Sequence, residues 1–347
     1  MDIKGVILMK VAKIISPLNL EICEVPMPEI KNDDEVLIKV RAAGICGSDI
    51  HIYHGTSPVA TYPRVIGHEV VGEVIKLGKK VTKFEVGDHI VMDPVIGCGE
   101  CYPCSMGRPN VCSRLEVRGV HVDGGYQEYL VLPEKGVHKI SKELSWEEAV
   151  LIEPFTIAAQ IIFRGEITKR DTVFIMGAGP LGLCVVQAVK IIGAKCIISD
   201  FIETRLELAR KMGADITINL SKEDVEKVIM EETNNLGVPV IIDAVGLPQT
   251  FEQAVKIAAS AGRVILLGFA DEPSKIAQLE ITKKELDVKG SRLHSNKFPQ
   301  VIDWFNNKKV NPKLLISNVY NFTDIEQAIV QVEKNPIETY KVILKFD

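Results

Sequence analysis

Four cysteines fall within one short stretch: Cys98, Cys101, Cys104 and Cys112, in the spacing C-x2-C-x2-C-x7-C. Thiolates bind zinc at about 2.3 Å, and four of them close a tetrahedral shell, which is the chemistry of a structural site. A second donor set is more scattered. Cys46 and the His68-Glu69 step lie upstream of the cluster, and Glu153 lies downstream. Mixed sulfur, nitrogen and oxygen donors suit a second zinc that keeps one position open. Glu153 stands in the run AVLIEPFTIAAQ. A carboxylate among apolar neighbours is costly unless something pairs with it, and a metal is one such partner.

A third constellation suits a dinucleotide. The strand-like run Thr172–Met176 leads into Gly177-Ala178-Gly179-Pro180-Leu181-Gly182 and then a helical segment. Gly177 suits a tight turn, Gly179 leaves room for a pyrophosphate, and Gly182 lets helix and strand approach. The helix opens with Pro180, which fixes the backbone but has no N–H of its own, and the free N–H groups from Leu181 onward attract phosphate. Asp200 closes the next strand-like run, where a carboxylate accepts from the ribose hydroxyls of NAD and repels the 2′-phosphate of NADP. Arg205 is the nearby cation.

These residues need a scaffold of two kinds. Up to about residue 150 the chain reads as short apolar runs, such as Val36–Val40, Val70–Leu77 and His89–Met92, broken by Gly and Pro. From Thr172 the texture changes to strand-like runs alternating with helical ones. The strand-like runs are Thr172–Met176, Lys195–Ser199, Ile216–Asn219, Val240–Asp243, Arg263–Leu267 and Leu286–Lys289. Leu181–Ile192, Glu203–Met212 and Gln249–Ala259 fit helices between them. That alternation predicts an α/β fold with a doubly wound parallel sheet. The expected division is a zinc-binding catalytic domain over 1–155, a Rossmann domain over 156–290 that binds NAD, and a return of 291–347 to the first domain. The terminal run Tyr340–Phe346 is read as a strand in that return.

Composition excludes other classes. The 347 residues are 46% hydrophobic and 25% charged, with a net charge of −5 and 6% aromatics. A mildly acidic chain with few aromatics offers no footprint for nucleic acid or anionic membrane. No run approaches the ~20 apolar residues of a membrane span. The opening MDIKGVILMKVAKII carries Asp2 and interrupting lysines, so it reads as a strand rather than a signal peptide, with Met9 as an alternative start. Without an export signal, the eight cysteines point to metal binding rather than disulfides and to the cytoplasm. Cys23, Cys184 and Cys196 are expected to be plain buried thiols.

Taken in order, GICGSDIH, GHEVVGEV, the four-cysteine loop, the acid in IEP and GAGPLG resemble the zinc-dependent medium-chain dehydrogenase/reductases over essentially the whole chain. The resemblance implies a GroES-like β-rich catalytic domain beside the Rossmann domain, and two zinc ions and NAD as cofactors. By position it makes Cys46 and His68 ligands of the catalytic zinc, with Glu153 binding directly or through water and Glu69 as an alternate ligand. Ser48 and His51 correspond to a proton relay, and Cys98, Cys101, Cys104 and Cys112 to the structural zinc. Glu153 stands where alcohol dehydrogenases of the family have cysteine, which places the chain in the polyol branch. The segments YPRVIGHE, DPVIGCGECYPCSMGRPNVC, GVHVDGGYQEY, IEPFTIAA and SRLHSNKFPQVIDW resemble bacterial L-gulonate and L-galactonate 5-dehydrogenases and their starvation-sensing relatives. Two departures point away from sorbitol: Ile52 rather than Tyr follows the relay histidine, and Leu293 stands where the sorbitol enzymes have Arg.

The implied reaction is NAD-dependent oxidation of a secondary alcohol of a sugar acid. Zinc lowers the alcohol's pKa, and Ser48 and His51, whose reference pKa is about 6.5, carry the proton to solvent. A sugar acid also calls for a cation, and Arg292, Arg118 and Lys297 are the candidates, with Arg292 preferred for bidentate geometry. The competing readings are an enzyme for L-idonate, sorbitol, galactitol phosphate or L-threonine, and a non-catalytic NAD-binding sensor. The expected partners are a small-molecule substrate and a second copy of the chain, as homodimer or homotetramer.

Overall fold

The computed structural model of the chain describes residues 7–268 and 271–347. The sequence reading of residues 1–6 lies outside that range. Two compact units are present: one runs to Glu153 and resumes over Ile316–Asp347, and the other is Pro154–Leu315.

The first unit is built on a sheet whose strands follow the order Val137–Lys139, His89–Met92, Glu69–Leu77, Glu35–Ile45, Lys341–Lys345 and Ile316–Asn321. Glu35–Ile45 is its spine, half-buried at Glu35, Lys39 and Arg41 and buried elsewhere, including its last four residues. Its antiparallel neighbours pair Gly44 with Glu69 and Ile45 with Val342. The register therefore brings the end of one strand and the starts of two others to one place: Cys46, Glu69 and Lys341 meet at the same end of the sheet. Branched residues such as Val36, Ile38, Val40, Val70 and Val74 fill the core on one face, as a pleated, buried surface favours. The terminal run is the Lys341–Lys345 strand, and Phe346 stacks on Phe322 at 4.4 Å between ring centres.

A smaller sheet pairs Leu8–Ser16 with Asn19–Pro26 and Arg64–Val65. Cys23, expected to be buried, is half-buried because Asn19–Pro26 is an edge strand with partly solvated faces. Cys184 and Cys196 are buried as expected.

The second unit is a six-stranded, all-parallel sheet in the order Ile216–Asn219, Lys195–Asp200, Thr172–Met176, Val238–Asp243, Ala258–Leu266, Asp287–Gly290. Helices Pro180–Ile192, Glu203–Lys211 and Pro248–Ile257 alternate with the strands. The fifth strand begins five residues before the sequence reading, directly after the helix. Ala258 already pairs with Val238, and an irregularity with Ala261 at φ +58° accommodates the early start.

Residues 291–315 belong to this unit, so the return to the first unit begins at Ile316 rather than at 291. The reason is apolar: helix Phe298–Asn306 buries Phe298, Val301, Trp304 and Phe305, and Phe305 meets Phe155 edge to face at 5.4 Å. Among the described residues no helix is long and apolar enough to cross a membrane.

Phe174 is fully buried on the central Thr172–Met176 strand. Phe174→Ala is expected to cost about 3–5 kcal/mol of stability, combining lost transfer energy with a residual cavity. Urea unfolding of the two proteins measures it, and a loss under about 1 kcal/mol would contradict this packing.

Candidate metal and dinucleotide sites

The short helix Gly47–Tyr53 starts where the Glu35–Ile45 strand ends, and Cys46 is its N-cap residue. The Cys46 N–H donates to Asp49 Oδ2 at 2.9 Å, which turns the chain and aims Asp49 inward. His68 and Glu69 arrive from the adjacent strand. The ligand atoms of Cys46, His68 and Glu69 all lie within 4.8 Å of one another, as a metal-binding group requires. Asp49, His68 and Glu69 are all buried. Burial opposes a charge on the His68 imidazole, but the Asp49 carboxylate and the Cys46 sulfur outweigh it and hold the group well above the usual histidine range. Asp49 Oδ1 lies 3.6 Å from His68 Nδ1. A carboxylate behind an imidazole in this way orients it as a metal ligand.

Glu69 has a partner that sequence reasoning did not identify. Lys341, itself 5% exposed, places Nζ 2.6 Å from Oε1 and 2.8 Å from Oε2 of Glu69. The available signal was a lysine heading the apolar run KVIL. Asp49 was also missed, although an acid three residues after a helix-start residue is a capping pattern. Glu153 is buried in the first turn of helix Ile152–Gly165 and lies outside the group formed by Cys46, His68 and Glu69. Ser48 and His51 are three residues apart on helix Gly47–Tyr53. Ser48 is half-buried, one turn before the buried Ile52, and His51 is exposed. His51 Nδ1 is 3.0 Å from Thr56 Oγ1.

The four clustered cysteines occupy the loop between the paired strands Val95–Ile96 and Glu116–Val117. Their sulfurs also lie within 4.8 Å of one another, and none forms a disulfide. Cys101 and Cys112 Sγ are 3.6 Å apart, Cys98 and Cys104 Sγ 4.0 Å. The N–H groups of Cys98 and Arg114 donate to Cys112 Sγ at 3.3 and 3.2 Å. The Arg114 side chain, helped by backbone N–H groups, draws the Cys98 thiol down to about 5. Backbone N–H groups draw Cys101 down to about 7, whereas burial pushes Cys104 up to about 12, so the loop favours part of the thiolate set and a bound metal would have to stabilise the rest.

In the second unit each glycine of the phosphate loop has a distinct reason. Gly177 is at φ +95°. A Cβ on Gly182 would meet the Gly177 carbonyl oxygen at 2.0 Å, whereas a Cβ on Gly179 would meet nothing within 4 Å. Gly182 is thus forced by packing, and the space over Gly179 is open to a ligand. Gly179 is the N-cap of helix Pro180–Ile192, whose first N–H groups can receive a pyrophosphate. Asp200 is 8% exposed and accepts from the Ala178 and Ile202 N–H groups at 2.8 and 2.9 Å. A carboxylate keeps further lone pairs for ribose hydroxyls while making those bonds. Arg205 Nη1 lies 3.8 Å from Asp200.

The three candidate cations are divided between the two units. Arg292 and Lys297 are in the second unit, and Lys297 Nζ sits 3.9 Å from the Phe163 ring centre. Arg118 is in the first unit, with the metal group. Burial pulls its guanidinium below the ordinary arginine range, and among the described residues no side-chain hydrogen bond or ion pair engages it. The next residue, Gly119, packs backbone to backbone on Gly67, which immediately precedes His68.

Removing Lys341 strands the buried Glu69 carboxylate. Lys341→Met is expected to destabilise the metal-free protein by about 3–5 kcal/mol at neutral pH, the usual cost of breaking a buried pair from one side. Chemical unfolding of the chelator-treated protein tests this, and an unchanged midpoint would show that Glu69 does not depend on the lysine.

Residues 32–142 match the alcohol dehydrogenase GroES-like domain family, and residues 180–307 match the zinc-binding dehydrogenase family. The starvation-sensing protein RspB of Escherichia coli K12 is 45% identical over 325 residues, 93% of this chain and 94% of that protein. L-Galactonate-5-dehydrogenase of the same strain is 30% identical over 348 residues, 96% of this chain and 100% of that protein. A crystal structure from E. coli CFT073, described as a short chain alcohol dehydrogenase (rspB) complexed with NADH, has a TM-score of 0.93 at 43% identity and covers 99% of this chain and 100% of its own. Zinc and NAD(H) are the cofactors that fit the donor groups and the glycine loop, and the chain belongs to the zinc-binding alcohol dehydrogenases of the medium-chain family, as an oxidoreductase of the alcohol and polyol type.

Proposed function

We propose that this dehydrogenase oxidises a secondary alcohol of a sugar acid, carbon 5 of L-gulonate or L-galactonate, to the keto acid with NAD. The observation that carries the substrate class is Arg118, a half-buried arginine without a side-chain partner among the described residues, on a loop whose backbone lies against the residue before His68. An arginine so placed is suited to grip a carboxylate. The likeness to L-galactonate-5-dehydrogenase supports the same class.

Cys46 and His68 hold the catalytic zinc in this reading, with Glu153 directly or through water, and Glu69 in reserve beside Lys341. Cys98, Cys101, Cys104 and Cys112 hold the structural zinc. When bound, zinc supplies Lewis acidity that eases loss of the alcohol's proton, and NAD supplies the hydride acceptor. Ser48 accepts the proton, and His51, exposed on the same helix, delivers it to solvent. Gly177, Gly179, Pro180, Leu181 and Gly182 seat the pyrophosphate, Asp200 binds the adenosine ribose, and Arg205 steadies Asp200.

The test is a panel of hexonates, neutral polyols and L-threonine with NAD, read by NADH absorbance. Hexonates are expected to turn over best; turnover of non-acid alcohols alone would reject the substrate class. Arg118→Ala is expected to raise KM for the hexonate about 10- to 100-fold more than KM for a polyol, the loss of a charged hydrogen bond. Arg292→Ala and Lys297→Ala serve as comparisons, and an equal effect of Arg118→Ala on both substrate classes would remove its role.

The reading includes self-association. Among the described residues Asp287–Gly290 is an edge strand paired on one side, and Val288 on it is 37% exposed. Pairing two such edges satisfies their backbone groups. Light scattering is expected to give the mass of two or four chains, and a monomer would exclude this part. The eight unpaired cysteines suit a reducing compartment, so the cytoplasm is the proposed location.

A further inference from the structure

We propose that Tyr126 is a positioning residue for the metal donors, acting through Asp49 on His68. The inference rests on the reading that Cys46 and His68 hold zinc.

Tyr126 is among the largest fully buried side chains, at 1% exposure. Its segment runs alongside the chain that leads into His68. The Tyr126 N–H donates to the Ile66 carbonyl at 3.0 Å, and the Gly125 N–H to the Gly67 carbonyl at 2.8 Å. The phenol ring lies directly over Gly67, where a Cβ would meet ring carbons at 2.2 and 2.4 Å. Gly67 is also at φ +95°, so the residue before His68 is shaped to accept this ring and no other type fits there. At its far end the hydroxyl lies 2.9 Å from the Gly44 carbonyl oxygen and 3.1 Å from Asp49 Oδ2. Gly44 is two residues before Cys46 and pairs in register with Glu69. One side chain therefore touches each of the segments that deliver Cys46, His68 and Glu69.

The hydroxyl matters for what it does to Asp49. Asp49 Oδ2 accepts from both the Cys46 N–H and the Tyr126 hydroxyl. With that oxygen held twice, Oδ1 is the one left facing His68 Nδ1 at 3.6 Å. A carboxylate in this position fixes the ring's orientation and strengthens the imidazole as a ligand, and losing such support typically weakens metal binding. A phenylalanine would fill the same space with no buried hydroxyl to satisfy. The oxygen's contribution is thus its one proton, shared between the Gly44 carbonyl and Asp49 Oδ2 on the two sides of Cys46, and the ring's contribution is the seat on Gly67.

Tyr126→Phe separates the two, because it keeps the ring and deletes the oxygen. Zinc release to a chelator is followed over time for the wild type, Tyr126→Phe, Asp49→Asn and the double variant. The wild type should hold two zinc ions per chain, one of them lost in Cys46→Ser. Tyr126→Phe is expected to release that same zinc about 10-fold faster, while the four-cysteine zinc leaves at the wild-type rate. Asp49→Asn should also speed its release, and adding Tyr126→Phe to Asp49→Asn should change nothing further. Unchanged release in Tyr126→Phe, equal acceleration at both zinc sites, or full additivity in the double variant would overturn the proposal. A Cys46→Ser protein that keeps as much zinc as the wild type would instead reject the underlying metal site, and the proposal with it.

Discussion

Charged groups that water does not reach have to satisfy one another, and the first unit is organised around that constraint. Asp49, His68, Glu69 and Lys341 are each under a tenth exposed, at the end of a sheet made largely of valine, isoleucine and alanine. An isolated ion there would cost several kcal/mol. None of the four is isolated: Lys341 clamps both oxygens of Glu69, and Asp49 binds the Cys46 N–H and the Tyr126 hydroxyl while facing His68. The polar cluster is stable only as a set, and the antiparallel pairing of Gly44 with Glu69 and of Ile45 with Val342 brings its members together.

The two zinc-type donor groups are built on opposite principles. The four-cysteine loop is local: its first and last ligands are fourteen positions apart, and the Arg114 side chain and backbone N–H groups supply much of the stabilisation of its sulfurs. It needs only a short strand pair to close it. The mixed group draws on residues 46, 68 and 69 and is backed by residues 126 and 341. Its geometry depends on long-range pairing, and its donors sit in a low-dielectric setting where a bound ion's charge is little screened. A closed shell of like donors suits architecture, while a buried, supported set of unlike donors suits chemistry.

The nucleotide unit was the most legible part of the chain. Its signals are local in origin: a strand, a glycine turn, a helix start and an acid at the next strand's end occupy Thr172–Asp200 without interruption. All six strands appear in the parallel sheet, with boundaries displaced by a few residues. The larger error was the return point. Residues 291–315 lose the strand–helix alternation and so read as a tail, yet the apolar face of Phe298–Asn306 holds them in the second unit.

What the sequence by itself determined is the inventory: which residues bear sulfur, imidazole and carboxylate, and which short spacings turn them into a thiolate loop and a phosphate loop. Those features are decided by neighbours a few positions apart, so the order of residues is enough. What only the tertiary structure decided is who stands beside whom across long separations. It placed Lys341 on Glu69, Tyr126 on Asp49 and Gly67, and Arg118 beside the chain leading to His68 while Arg292 and Lys297 fell in the other unit. Such pairings are set by strand register and by the need of buried charges for partners, and neither is written in any local spacing.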